Sequence, residues 1–313
     1  MIIRSTKTNG KPLILHAPGG YIGRRKYRRY NRIFFMVREQ LAKLEPEPVN
    51  VERLNKNLTI LTCSNYKRPG CLDQSLARLG LRAEQLGKDI QTWRNIEKIK
   101  LYRDALDEVT TPYVMGLDSD DVIVLRDPYE AVVKFQEMDC EMLFNAELTF
   151  YPDFEYDRDG KPYVTEQWKS FQQSLATTQW SYLNAGCFIA NTTFFRKFIA
   201  RGEELDNGEL VDSGQLPLQP SGFHQKSTDS EQILVHRLFN EFHPQVELDR
   251  EHQVFLNTIH VPPGPHYVRL YRKWSQVSLS DCLALLLSYL PLPQLALKIK
   301  TLKKRYERSR DYA

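Results

Sequence analysis

Three aspartates in four positions, Asp118, Asp120 and Asp121, follow the apolar run TPYVMGL at residues 111–117. Carboxylates this close repel one another unless a cation or hydrogen-bond donors neutralise them. An all-oxygen set suits Mg²⁺ or Mn²⁺, ions that also take phosphate oxygens. The run before it reads as a strand buried on both faces, and open α/β sheets bind ligands at the C-terminal ends of such strands. A metal held there by two carboxylates and a diphosphate describes a nucleotide-sugar site, where the ion stabilises the leaving diphosphate. The plainer reading is that the aspartates cap a turn or the next helix. A second D-x-D, Asp157 to Asp159, follows no strand, and Asp159-Gly160 is a hairpin-turn pair.

Two histidines sit in similar surroundings. LILHAPGG (13–20) and NTIHVPPGPHY (257–267) each set a His, His16 and His260, after an apolar run and before a Pro/Gly-rich stretch. Tyrosines and arginines follow both. The first segment reads either as an internal echo of the second or as coincidence.

The elements that would position these residues alternate. NLTILT (57–62) is a short strand ending in the turn-rich CSNYKRPG. CLDQSLARLG fits a helix with Gly80 at its C-terminal cap. Residues 96–109 carry apolar side chains at helical spacing. In RDPYEAVVKF, Asp127 is placed as N-cap, Pro128 at the first helical position and Glu130 as the return arm of a capping box. Residues 141–147 and 183–191 read as buried strands, TTFFRKFIARG and 227–242 as helices, and 202–226 as a long loop. Such alternation argues for an α/β fold with a mixed central sheet flanked by helices.

Composition excludes little. The 313 residues are 42% hydrophobic and 26% charged, with a net charge of +4, too small to imply nucleic acid. Five scattered cysteines without CxxC spacing suit a reducing compartment rather than a disulfide framework. No secretory leader is read at the start, so a cytoplasmic location is expected. The apolar stretch 282–297 is short and carries two prolines, so it is not read as a membrane span. With the basic KIKTLKKRYERSR after it, it would make a peripheral membrane anchor or a packed terminal helix. RRKYRRYNR (24–32) would bind RNA or anionic headgroups, or form a solvated helix face.

Four segments in order, MGLDSDDVIV, MLFNAELTFYPD, YLNAGCFIAN and DSEQILVHRLF, resemble the glycosyltransferase domain of the procollagen lysyl hydroxylase family. The resemblance runs from about residue 58 to 270 and includes LGKDIQTWRNIEKIKLYRDAL. It implies a GT-A, Rossmann-like nucleotide-diphospho-sugar transferase fold and a Mn²⁺-dependent hexosyltransferase. The donor would be a UDP-hexose, UDP-glucose or UDP-galactose, and the acceptor a hydroxyl on a glycan or protein, with retention of configuration. Asp118 and Asp121 match the family's metal aspartates, and Asp120 stands where the family has Tyr. His260 matches the family's later ligand histidine, although the Asn and Lys expected downstream are missing. His16 precedes the first strand, where this fold has no metal loop, and is set aside.

On the donor side the resemblance also implies Lys98, Gly186 and Gly264, with Gly186 letting a hexose approach the backbone. Asn184 fits the family's Asn-Ser-Gly. Thr62 and Ser64, at the end of the first strand, would contact the nucleotide or simply form a polar turn. Asp229 and Glu231 resemble the family's acceptor-side Asp-Asp-Gln, though Thr228-x-x-Glu231 is also a capping box. Trp168 and Trp180 would stack on an acceptor sugar or pack in the core. The implied division is a basic N-terminal extension (1–56), a GT-A domain (57–275) and a helical basic tail (276–313). The alternative from another class is a catalytically inactive GT-A-fold protein that binds RNA or a membrane surface.

Overall fold

The computed structural model describes residues 2–5, 11–18, 31–41, 46, 48–151, 164–205, 231–258 and 268–271. In chain order the elements are β1 (Ile2–Ser5), β2 (Ile14–His16), α1 (Arg32–Leu41), α2 (Val51–Asn57), β3 (Leu58–Cys63), α3 (Cys71–Arg78) and β4 (Glu84–Leu86). There follow α4 (Glu97–Leu106), β5 (Tyr113–Leu117), β6 (Val122–Val124), α5 (Tyr129–Gln136), β7 (Met142–Glu147), α6 (Val164–Ser174) and β8 (Tyr182–Asn191). The last are α7 (Thr192–Glu204), α8 (Glu231–Phe242), β9 (Val246–Asp249), β10 (Phe255–Asn257) and β11 (Val268–Tyr271).

Six strands form a mixed sheet in the order β4-β3-β5-β8-β7-β9. β3 runs parallel to β4 and β5, β8 is antiparallel to β5 and β7, and β7 is parallel to β9. The expected α/β fold with a mixed, helix-flanked sheet is therefore the observed one. Alternation along the central strands explains their unbroken apolar runs. Val114, Phe188 and Ala190 join one core layer with Phe144, Phe195 and Phe198. Met115, Leu117, Cys187 and Ile189 face the other, with Leu72, Leu76 and Phe135. A strand covered on both faces has no solvent side to carry polar residues.

Local signals set most boundaries. Asn191 ends β8 and caps α7, its side chain accepting from the amides of Thr193 (2.9 Å) and Phe194 (3.3 Å). Gly80, just beyond α3, has φ +71°, the left-handed conformation that glycine adopts most cheaply. At α5 the expectation holds only in part. Asp127 Oδ1 accepts from the Tyr129 amide at 2.9 Å, but Glu130 pairs with Arg126 at 2.7 Å instead of returning to the cap. A nearby guanidinium outcompetes a neutral amide for the carboxylate. Trp168 and Trp180 are both buried, which places them in the core.

Within the N-terminal segment set apart as an extension, described residues 13–17 and 33–41 are built into this core. β2 lies at the centre of a second, three-stranded sheet, parallel to β10 and antiparallel to β6. Leu13, Ile14 and Leu15 are fully buried, and Phe34, Val37 and Leu41 of α1 pack in the same layer as Phe144 and Phe188. Among the described residues no helix is long and apolar enough to cross a membrane. The basic C-terminal tail, most of RRKYRRYNR, the Asp157–Asp159 pair and the loop beyond Leu205 lie outside the described residues.

Candidate active site

The short loop 118–121 joins β5 to β6 and carries the aspartates out of the sheet. Its start is fixed by the Asp118 amide, which donates to Gly186 O of β8 at 2.8 Å. Its end is fixed by the register of β6 against β2, which sets His16 opposite Val122, and by the Ala17 amide donating to Asp121 O at 2.9 Å. His16 is thus delivered beside the loop. Its Nε2 lies 3.5 Å from Asp118 Oδ2 and 3.6 Å from Asp121 Oδ1. The three ligand atoms all fall within 4.8 Å of one another.

His16 is buried, Nε2 has no hydrogen-bond partner, and Nδ1 lies 3.2 Å from the Asn145 amide. β10 holds the backbone on its other side: the Thr258 amide donates to His16 O at 2.7 Å, and the Leu13 and Ile14 amides donate to Val254 O. Burial alone would lower the imidazole pKa, but Cys187, Asp121 and Asp118 carry it well above the ordinary value. For Asp118, Lys98 and His16 outweigh burial and hold the carboxyl well below its usual range. Burial prevails at Asp121, whose pKa is raised.

Among the described residues the His beside the aspartates is His16; His260 lies outside them, along with Asp229 and Gly264. His16 was set aside on the premise that no metal loop precedes the first strand. β2 is itself a strand, and long-range pairing brings it to the loop. Asp120 lines the adjoining cleft and is not part of the three-residue cluster.

A second cluster adjoins the first. Lys98 of α4 is buried and its Nζ donates to Asp118 Oδ1 at 2.8 Å and Glu231 Oε1 at 2.6 Å. The two carboxylates raise the Lys98 pKa well above its ordinary value against the effect of burial. Glu231 Oε1 is thus taken, while the buried Oε2 has no partner. Replacing Lys98 by Met should cost roughly 3–5 kcal/mol, since an uncompensated buried charge is left behind. Chemical denaturation of the full chain would show this, and an unchanged midpoint would contradict it.

Glu147, at the end of β7, was not singled out from the sequence. It is buried and accepts hydrogen bonds from Gln232 Nε2 (3.1 Å), Asn184 Nδ2 (3.3 Å) and Asn257 Nδ2 (3.5 Å). Burial pushes its carboxyl up to about 7, with the amides and His16 opposing the shift. Asn184 Oδ1 in turn accepts the Gly186 amide, and Gln232 Oε1 the Ala185 amide, each at 3.0 Å. The available signal was a buried apolar strand ending in a carboxylate, the same pattern that marks Asp118.

These residues line one cleft of about 810 Å³. Its walls include Ser64, Tyr66 and Trp93 on the β3 side, and Thr149 and Tyr151 beyond Glu147. Thr62 is buried and does not line the cleft, whereas Ser64 and Gly186 do.

No curated protein gave a significant match to the chain. Among solved structures, 4-diphosphocytidyl-2C-methyl-D-erythritol synthase from Anaerococcus prevotii is similar at 8% identity and a TM-score of 0.32, over 76% of this chain and 97% of that one. Residues 66–210 match a family model described as the PLOD GT domain, a stretch that holds Lys98, Asp118, Asp121, Glu147, Asn184 and Gly186. Three of the four sequence segments that carried the resemblance fall inside this stretch and DSEQILVHRLF lies beyond it, so the resemblance to that family's glycosyltransferase domain is found again over residues 66–210.

Proposed function

We propose that this chain transfers a hexose from a nucleoside diphosphate donor, UDP-glucose or UDP-galactose, to a hydroxyl on a glycan or protein, with retention. The observation that carries the reading is the partnerless, buried Nε2 of His16 between two carboxylates, at the wall of a cleft in a glycosyltransferase domain. One nitrogen and two carboxylate oxygens suit Mn²⁺ or Mg²⁺. Asp118, Asp121 and His16 would hold the ion, which when bound supplies neutralisation of the departing diphosphate. Lys98 occupies Asp118 Oδ1 and leaves Oδ2 to face His16.

The residues beyond the cluster would handle the sugars. Asn184 and Glu147 present an amide and a carboxylate to the donor hexose, and Glu231 Oε2 is free to accept from the incoming hydroxyl. In transfer, the acceptor oxygen bonds the anomeric carbon as the bond to diphosphate breaks, and the hydroxyl proton passes to the departing phosphate oxygen. Attack on the face that the diphosphate leaves accounts for retention. A reducing compartment, and with it the cytoplasm, belongs to the same proposal and is supported by free Cys63, Cys71, Cys140 and Cys187. The inactive binding-module alternative rested on basic segments that lie largely outside the described residues.

The test is release of nucleoside diphosphate from UDP-glucose, UDP-galactose, UDP-GlcNAc and GDP-mannose, each with Mn²⁺ or EDTA. Mn²⁺-dependent release from one donor, lost in Asp118→Ala and Asp121→Ala, supports the reading. No release from any donor sinks it. A pH dependence also follows. Raised His16 basicity means that a proton competes with the cation for Nε2. Apparent Mn²⁺ affinity should therefore rise with pH, by up to about tenfold per unit for one displaced proton. Titration calorimetry in buffers of different ionisation enthalpy should record that proton, and affinity flat from pH 6 to 8 would oppose the assignment of His16.

A further inference from the structure

Glycines near the site fall into two classes. Gly80 and Gly87 have φ of +71° and +80° and are required by backbone conformation. Gly70 and Gly186 are not among the positive-φ glycines, and Gly70 is extended at φ −80°, ψ −172°. Any residue adopts such a backbone, so the missing side chain matters for space alone.

That space belongs to the aspartate loop. A Cβ on Gly186 would overlap His16 Cε1, and would lie 2.5 Å from Asp118 Oδ2 and 2.8 Å from His16 Nε2. It would therefore intrude on two ligand atoms at once. A Cβ on Gly70 would overlap Ser119 O and lie 2.8 Å from its carbonyl carbon and 3.1 Å from Asp120 Cα. The loop cannot easily step aside there, because Ser119 O already accepts the Leu72 amide from the first turn of α3 at 3.0 Å. Loop 118–121 is thus closely approached by two bare backbones, Gly186 at Asp118 and Gly70 at Ser119. Gly202 provides the contrast: its Cβ would meet Leu238 Cδ1 at 3.4 Å, an ordinary contact.

We infer that Gly70 and Gly186 are positioning residues, whose lack of a side chain seats loop 118–121 and holds Asp118 and His16 close enough to share one cation. This rests on the cation reading above. It gives Gly186 a different task from the one its motif implied, since the atoms it clears belong to the protein and not to the sugar.

The experiment compares full-length Gly186→Ala, Gly70→Ala and Gly202→Ala with the unchanged protein. Mn²⁺ binding is read from the electron paramagnetic resonance of the free ion. The His16 imidazole is read from ring ¹⁵N–¹H correlations of the metal-free protein, assigned with His16→Ala. Gly186→Ala, folded by circular dichroism, should bind Mn²⁺ about 10–100-fold more weakly, the range seen when the support of a ligand is disturbed. Its His16 ring signals should shift even without metal. Gly202→Ala should change neither readout. A folded Gly186→Ala with unaltered affinity and an unmoved imidazole overturns the inference. If the unchanged protein takes up no Mn²⁺, the cation reading falls, and the imidazole shift alone decides the seating role. Should Gly186→Ala fail to fold, Gly70→Ala is judged by the same two readouts.

Discussion

His16→Ala is expected to lower Mn²⁺-dependent donor turnover by at least about a hundredfold, the scale on which one lost charge-stabilising group is felt. His260→Ala is the comparison, because the family resemblance assigns the ligand role to that residue. The expectation for His16 follows from geometry: its Nε2 is 3.5 and 3.6 Å from oxygens of the two aspartates and has no hydrogen-bond partner. Its backbone is held by Thr258 and Ala17 rather than by its ring, so removing the ring need not dismantle β2. Steady-state rates at saturating Mn²⁺, beside ion titrations, would separate lost affinity from lost chemistry. Equal activity in His16→Ala and the unchanged protein would remove the histidine from the site. Loss in His260→Ala alone would restore the order implied by the family resemblance.

Glu147→Gln should be nearly as damaging, with about a hundredfold loss in kcat, within the range for a positioned acid or base. Mn²⁺ affinity should stay close to normal, since Glu147 bonds only amides. Because burial raises its carboxyl to about 7, it is neutral below that pH and charged above it. If the charged form orients the sugar, kcat falls as the pH drops through about 7, and that inflection vanishes in Glu147→Gln. The amide variant preserves shape while replacing one acceptor oxygen with a donor that must face Asn184, Gln232 or Asn257. A kcat and pH profile like those of the unchanged protein would show the carboxylate to be structural only.

What could be read from the sequence was what is local. An apolar strand, its terminal aspartates and the helix after them are encoded within about twenty consecutive residues, and that stretch matches its expected form closely. The same holds for the Gly80 turn, decided by one backbone angle. The place of His16 beside the aspartates was not legible because it depends on pairings with Val122 and Asn257, more than a hundred and more than two hundred residues away. A three-residue strand has no periodicity of its own to announce them. Glu147 was missed for a related reason: nothing nearby shows that amides from α8, β8 and β10 converge on it. At Glu231 nothing in the neighbouring sequence shows that Lys98 reaches its carboxylate from another helix.

The position of β2 between β6 and β10 also carries a consequence in time. During synthesis the histidine leaves the ribosome first, the aspartates about a hundred residues later, and the strand that pins β2 last of all. A chain halted before Val254 would own all three ligands without the strand that aligns them. Non-local pairings of this kind form late and slowly. Cation capture would then mark the moment at which residues 254–258 have emerged, so that the ability to hold the donor arrives only after β10 has been made.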